Sequence, residues 1–548
     1  MRDILGYFLI SNSNKKQAYF LFGIITVLYF INFSANDIFT PNESFYAESV
    51  REMFESGDFL DIKYNYEPRY NKPPLTYWAI ALSTRVFGMN EFGIRFPIVL
   101  MALGSIWLTF LLGRKLYGNK GGIYAMMMMA VSVQFIFVKQ YASPEVPLTF
   151  FFVLTLYWFI KGYLEHNSKY ILLSYVALGL TVLTKGFPYI IVIAGIIGLH
   201  VIIDTGLKKE QLWSKIKLLK LHLGIPIFSI IGLSWVVYMY LKDGNDFWLV
   251  YKAETFDRAL SKSNKGPDPF FYLGVIAWSI APYSLAFYYA LVKRLKSFNG
   301  IKEMSFAFSW FIVMLVIFTL AKGKIPTYII QAHPAMILIM APLLLDYKPN
   351  KKAWRNLWDF TLFFPSILIL GVSIFMIIAL NMSLLFILIP IAIIGLIIAI
   401  CYKNSKDATV IIPFWAMVSF LLVFAFYIPK MEEFRPYDKI GDVIEHNAIA
   451  SDIPIHIEAT LIHNIPFYAK RYAIRDASIT SIKEFDGPKL ALVKNKAFNS
   501  MEGYESLWSG WIYDFSSESQ FFKFVMACRD ADNGDYSKFA KYHLIFQP

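Results

Sequence analysis

Two polar stretches interrupt the apolar N-terminal half of the chain. They read Thr40-Pro41-Asn42-Glu43-Ser44-Phe45-Tyr46-Ala47-Glu48-Ser49-Val50-Arg51-Glu52-Met53 and Tyr64-Asn65-Tyr66-Glu67-Pro68-Arg69-Tyr70-Asn71-Lys72-Pro73-Pro74. The first has amphipathic helical spacing; the second is proline-stiffened, aromatic and basic. Such a pair suits an element lying on a membrane surface. A stiff loop beside a solvated helix accounts for the same residue types, because charged and aromatic side chains are common at interfaces without function. Among the acids, Glu43, Glu67 and Glu145 could take a proton from a hydroxyl, while Arg69, Lys72, Lys324 and Tyr328 could hold an anionic phosphate. Group transfer from a phosphate ester needs both tasks. For Lys324 the plainer account is snorkelling from a helix end to the interface. Its neighbours Lys322 and Tyr328 argue for phosphate contact, since they cluster with it on the side where cations are disfavoured.

These residues must be positioned by membrane helices. The chain has 548 residues, 57% hydrophobic and 17% charged, against about 25% charged in a soluble domain. Apolar runs long enough for a hydrocarbon core of about 30 Å predict helices at roughly 17–36, 94–113, 121–140, 147–163, 170–184, 187–203, 222–241, 270–292, 304–321, 327–345, 356–379, 382–402 and 408–428. The first follows Lys15 and Lys16 without a convincing cleavage site and reads as a retained signal anchor. With the N-terminus in the cytoplasm, the cationic loops carrying Arg114, Lys115, Lys161, Lys208, Lys215, Lys293, Arg294, Lys351, Arg355 and Lys403 all fall inside. The net charge of +12 therefore follows membrane topology, and no nucleic-acid partner is expected. Residues 1–428 form the predicted membrane domain, with 37–93 as a first external loop bearing interfacial helices. Residues 429–548 are expected to be an extracytoplasmic α/β domain, with strands near 453–457, 490–493 and 542–546 and helices at 437–446 and 518–527.

Other candidates have modest readings. Glu254 and Arg258 stand at i and i+4, where a surface ion pair is worth a few tenths of a kcal/mol. Lys185, ahead of Gly186 and Pro188, suits a helix-end anchor as well as a donor contact. His222 and His333 lack companion ligands nearby, and Cys401 and Cys528 have no metal spacing, so no metal site is named. No convincing Gly-rich phosphate loop is present.

The short motifs taken together resemble the integral-membrane glycosyltransferases that use polyprenyl-phosphate sugars, the family of protein O-mannosyltransferases and bacterial aminoarabinose transferases to lipid A. Glu43, Tyr46-Ala47-Glu48, Arg51-Glu52-Met53, Ser56-Gly57-Asp58 and Lys72-Pro73-Pro74 match in order and spacing. So do Glu91-Phe92-Gly93-Ile94-Arg95, Pro144-Glu145-Val146-Pro147, Leu178 to Gly186, Glu254 with Arg258, Pro269-Phe270-Phe271-Tyr272 and Lys322-Gly323-Lys324-Ile325-Pro326-Thr327-Tyr328. The resemblance implies an all-α polytopic membrane protein, a GT-C bundle of about 13 transmembrane helices with the small external α/β domain, in the cell inner membrane. It implies inverting transfer of one sugar from an undecaprenyl or related polyprenyl phosphate donor to a lipid A, glycan or protein acceptor at the periplasmic face. Glu43 is the expected base, by its place in the family's acidic pair, with Glu145 second. Lys72, Arg69, Lys324, Tyr328 and Tyr46 are expected at the donor phosphate, and Asn42, Glu254, Arg258 and Lys185 in the pocket's architecture. Some members use a divalent cation, which leaves one open here. Two positions depart from the family: Asn42 replaces the first acid of the pair, and Asn71 stands where aminoarabinose transferases commonly have Glu. An amide cannot accept that proton. Two rivals remain open: a transporter or flippase for lipid-linked sugars, which would bury functional charges in broken mid-membrane helices, and a non-catalytic glycan-assembly scaffold, which Asn42 supports.

Overall fold

A computed structural model describes residues 15–38, 40–257, 268–296, 304–347, 357–403, 407–458, 463–501, 503–513 and 521–548. Arg258 lies outside them. The chain opens with α1 (Lys15–Phe30), then α2 (Pro41–Ser56), a two-residue-strand hairpin of β1 (Lys63–Tyr64) and β2 (Glu67–Pro68), and α3 (Leu75–Phe87). Helix α2 starts where the sequence permits: Thr40 is extended, its hydroxyl accepts from the Glu43 N–H, and Pro41 occupies the first turn.

The bundle continues through α4 (Glu91–Ala130), α5 (Val133–Val138), α6 (Glu145–Glu165), α7 (Ser168–Lys185), α8 (Pro188–Thr205), α9 (Lys209–Leu218), α10 (Leu221–Gly232) and α11 (Ser234–Lys252). It closes with α12 (Phe271–Ser279), α13 (Ser284–Leu295), α14 (Ser305–Leu320), α15 (His333–Leu345), α16 (Leu357–Ala379), α17 (Leu388–Lys403) and α18 (Ala408–Glu432). Among the described residues, 7 helices are long and apolar enough to cross a membrane, or 8 if the pair α10 and α11, bent by 50°, is one span. This is a multi-pass membrane protein. Each stretch expected to span contains helix, but several are short or interrupted. Helix α14 has 16 residues, the stretch expected at 270–292 is split between α12 and α13, and α4 merges two expected spans across non-helical Gly118.

Small residues let backbones approach within the bundle, where lipid offers no hydrophobic drive to associate. A Cβ on Gly224 of α10 would meet the Tyr175 ring of α7 at 2.0 Å, and one on Gly179 of α7 would meet Ile231 at 2.7 Å. After α18 the composition changes and a five-stranded sheet forms from β3 (Ile455–Glu458), β4 (Ala473–Ala477), β5 (Lys489–Lys494), β6 (Glu505–Ile512) and β7 (Ala540–Gln547), in the order β4-β3-β5-β7-β6. Strand β3 pairs parallel with β4 and β5, while β7 pairs antiparallel with β5 and β6. Ile455, Ile457, Leu490, Leu492 and Leu544 are buried against the helix Tyr437–His446.

Candidate active site

Three helix ends converge on one buried ion pair. Glu145 is the first residue of α6, where the positive end of the helix dipole favours a carboxylate. Lys185 is the last residue of α7, where the negative end favours a cation. The chain turns there at Gly186, whose φ of 105° suits glycine and whose missing side chain leaves room for the Tyr251 hydroxyl, 2.8 Å from where a Cβ would stand. Lys185 Nζ lies 2.7 Å from Glu145 Oε1, and the two side chains are 10% and 12% exposed. The ammonium also sits 5.3 Å from the ring centre of Tyr328, on the 3₁₀ turn Pro326–Ala332. Glu145 Oε2 is buried, with the buried Ser143 hydroxyl beside the carboxylate.

Helices α2 and α3 contribute the adjoining wall. Tyr46 stacks on Tyr77 with ring centres 4.3 Å apart, and its buried hydroxyl lies beside the Tyr77 hydroxyl and within electrostatic reach of Glu145 and Arg69. Arg69 Nε donates to the Tyr77 hydroxyl at 3.3 Å, and its guanidinium lies 4.0 Å above the Phe45 ring. Among the described residues no carboxylate pairs with Arg69. A buried carboxylate and a buried phenol, beside a guanidinium that meets no carboxylate among the described residues, form a site that can receive a polar, anionic ligand.

Glu43 is arranged differently. It is completely buried, and Arg95, also buried, donates to both of its oxygens: Nε to Oε1 at 2.7 Å and a terminal nitrogen to Oε2 at 2.9 Å. Oε1 also accepts from the Ala142 N–H at 2.9 Å. The expected base is thus gripped by a bidentate arginine and a backbone donor, an arrangement suited to tying α2, α4 and the turn before Glu145 together.

The sequence profile described as dolichyl-phosphate-mannose-protein mannosyltransferase matches residues 71–235. An uncharacterized protein of Aquifex aeolicus is 32% identical over 506 residues, covering 92% of this chain and 94% of its own. The undecaprenyl phosphate-alpha-4-amino-4-deoxy-L-arabinose arabinosyl transferase of Photorhabdus laumondii is 28% identical over 63% of this chain and 62% of its own length, so that match spans about six-tenths of the relative. The crystal structure of ArnT from Cupriavidus metallidurans bound to undecaprenyl phosphate shares the fold, with a TM-score of 0.74 at 18% identity over 90% of this chain and 97% of that one. The chain belongs to the GT-C polyprenyl-phosphate-sugar glycosyltransferases.

The other residues expected from the family motifs are scattered around this centre. Lys72 pairs with Glu254 at 3.7 Å, both partly exposed, so the first long loop is tied to the π-helical turn Ala253–Asp257. Lys324 Nζ donates to the carbonyls of Thr319 and Ala321, each at 2.7 Å, and so caps the C-terminal end of α14. Asn42 is exposed in the first turn of α2, next to Glu43, and Glu67 is exposed on the hairpin. Three residues had no assigned role in the sequence. Tyr77 was hidden in a helix read as part of a loop. Tyr189, one residue after Pro188, lies within electrostatic reach of Lys185, Tyr328 and Glu145. Arg95 stood in a quoted motif, and only its burial against Glu43 reveals its task. Among the described residues no three His, Cys, Asp or Glu side chains converge as a ligand set.

Proposed function

We propose that this membrane glycosyltransferase moves one sugar, with inversion, from a polyprenyl phosphate donor to an acceptor oxygen at the periplasmic face of the inner membrane, where residues 429–548 also fold. The observation that carries the reading is Glu145: one oxygen is held by Lys185 while the other is buried among hydroxyls, beside Ser143 and within electrostatic reach of Tyr46. The acceptor oxygen attacks the anomeric carbon, the bond from that carbon to the phosphate oxygen breaks, and the acceptor's proton passes to Glu145 Oε2. The departing lipid phosphate keeps the electron pair, and its charge is met by Arg69 and by Lys72 released from Glu254, with phenol donation from Tyr46 and Tyr77. Lys185 keeps Glu145 ionised until the proton arrives. Undecaprenyl phosphate, the ligand of the ArnT structure, and the aminoarabinose donors named in the relatives set the donor class to try first.

The test is transfer by purified protein from a polyprenyl-phosphate sugar. With a hydroxyl acceptor, Glu145→Gln should slow the reaction by about 10² to 10⁴, the range of general-base catalysis. A phosphate acceptor, already ionised near neutral pH with its second pKa of about 6, should lose much less. Full activity of Glu145→Gln towards hydroxyl acceptors would remove Glu145 as base. A wild-type protein that transfers nothing would leave the fold without this chemistry.

A further inference from the structure

We infer that the C-terminal domain is a working part of the donor site: by gripping the first long loop it fixes the ring on which Arg69 rests, which makes Phe45, Asn65 and His463 positioning residues. The inference rests on the reading of Arg69 as a donor-phosphate residue. Strand β4 is the edge of the five-stranded sheet, and Asn65 closes that edge as a further backbone would. Its amide donates to the Ala473 carbonyl at 3.0 Å, and its side-chain oxygen accepts from the Ala473 N–H at 2.8 Å. Asn65 is 2% exposed and sits in the β1–β2 turn with a φ of 55°, a conformation that asparagine tolerates better than most residues. Next to it, the Tyr64 hydroxyl donates to the His463 carbonyl at 2.9 Å. Phe45 packs edge-on to both Tyr64 and His463, at 4.7 and 5.2 Å between ring centres. The face of Phe45 carries the Arg69 guanidinium.

A second grip holds the start of the same loop. Arg435 Nε meets Asp37 Oδ1 at 2.5 Å and a terminal nitrogen donates to the Ile38 carbonyl at 2.8 Å. Tyr468 accepts from the Ile38 N–H at 2.7 Å and donates to Glu91 at 2.5 Å. An arginine side chain loses much rotamer freedom when held. Among the described residues the Arg69 guanidinium has one hydrogen bond, to Tyr77, and one ring face to keep it aimed, so the support of that ring is set by the domain beyond it.

The experiment uses full-length protein in detergent or nanodiscs and follows undecaprenyl phosphate binding together with KM and kcat for the donor. Asn65→Ala and His463→Ala should each raise donor KM and weaken lipid-phosphate binding by about tenfold, the size of a cation–π contact, with kcat within a factor of about two. His463→Phe keeps a flat ring against Phe45 and should restore wild-type KM. In an Arg69→Ala background, His463→Ala should add nothing further. Wild-type KM in both alanine variants, or no rescue by His463→Phe, overturns the inference. If His463→Ala fails to fold, the Asn65→Ala variant and its combination with Arg69→Ala decide the matter. Failure of wild-type protein to bind undecaprenyl phosphate at all would sink the donor-site reading instead, so the two failures are separable.

Discussion

Replacing Glu43 with Gln should damage the fold before it touches the chemistry. Arg95 is fully buried, and its guanidinium donates to the carbonyls of Asn36 and Asp37, each at 2.6 Å, as well as to both Glu43 oxygens. With the Phe33 carbonyl at 3.5 Å as a fifth acceptor, all five of its N–H groups are met. Glutamine keeps one acceptor oxygen but turns an amide N–H towards a guanidinium N–H, and it removes the charge that compensates a buried cation. Breaking one side of a buried pair costs about 3–5 kcal/mol, a large share of a net stability of about 5–15 kcal/mol. Arg95→Met should cost a similar amount. The double variant Glu43→Leu with Arg95→Met should cost less than the sum of the single changes, because no uncompensated charge remains. The assay is the monodisperse fraction after heating in detergent, run beside single-turnover transfer at low temperature on protein that has stayed folded. There the folded Glu43→Gln fraction should retain transfer within about tenfold, below the 10²–10⁴ expected from loss of a base. Unchanged heat stability combined with a loss of 10³ in rate would refute this reasoning and return Glu43 to the role its place in the family motif suggests.

Glu52, buried near Glu48 on α2, has its carboxyl pushed up to about 8 by burial and by the Glu48 charge. A carboxyl raised above its unfolded value of about 4.3 binds more protons folded than unfolded, so its contribution to stability is full below that value and is lost as pH rises towards 8. Glu52→Gln should flatten the pH dependence of the unfolding midpoint across that window, and an unchanged slope would discount the shift. Lys324→Ala should lower heat stability by about 1–2 kcal/mol through loss of two charge-assisted caps, with donor KM little altered; a raised KM at unchanged stability would place Lys324 on the phosphate. A C-terminal reporter active only in the cytoplasm should be silent, and strong signal would reverse the proposed orientation.

What the sequence made legible follows the length scale of each feature. A membrane helix is announced by about 20 consecutive apolar residues, so every stretch marked as a span holds helix, and the amphipathic 437–446 emerges as Tyr437–His446. Breaks are local and weakly signalled. The bend between α10 and α11 falls beside Gly232 within an unbroken apolar run, and nothing in periodicity distinguishes it from a straight span. Strands β4 and β6 went unmarked because Ala473–Ala477 is short and Glu505–Ile512 mixes serine and glycine into its alternation. At the site the distances are in sequence rather than in space. Glu145 and Lys185 are 40 residues apart, each at a helix end that composition does reveal, but their meeting depends on how α6 and α7 pack. Glu43 and Arg95 are 52 apart, and each stood in a quoted motif without a visible partner.

The two asparagines can be weighed in the same terms. Asn42 and Asn71 replace carboxylates that the family commonly carries, which removes up to two negative charges from the loop that bears Arg69 and Lys72. Fewer acids there leave those cations more of their charge for a lipid phosphate, since an opposing carboxylate would compete for the same hydrogen bonds. Arg69 has no carboxylate partner among the described residues, and Lys72 pairs with Glu254 at 3.7 Å. On the proposed function this biases the loop towards holding the anion. On the proposed mechanism proton acceptance falls to an acid on another element, Glu145, anchored by Lys185 at the start of α6 with its second oxygen buried. On this view the substitutions divide labour between loop and helix rather than abolish the site, and Asn42→Asp should weaken donor binding more than it raises turnover.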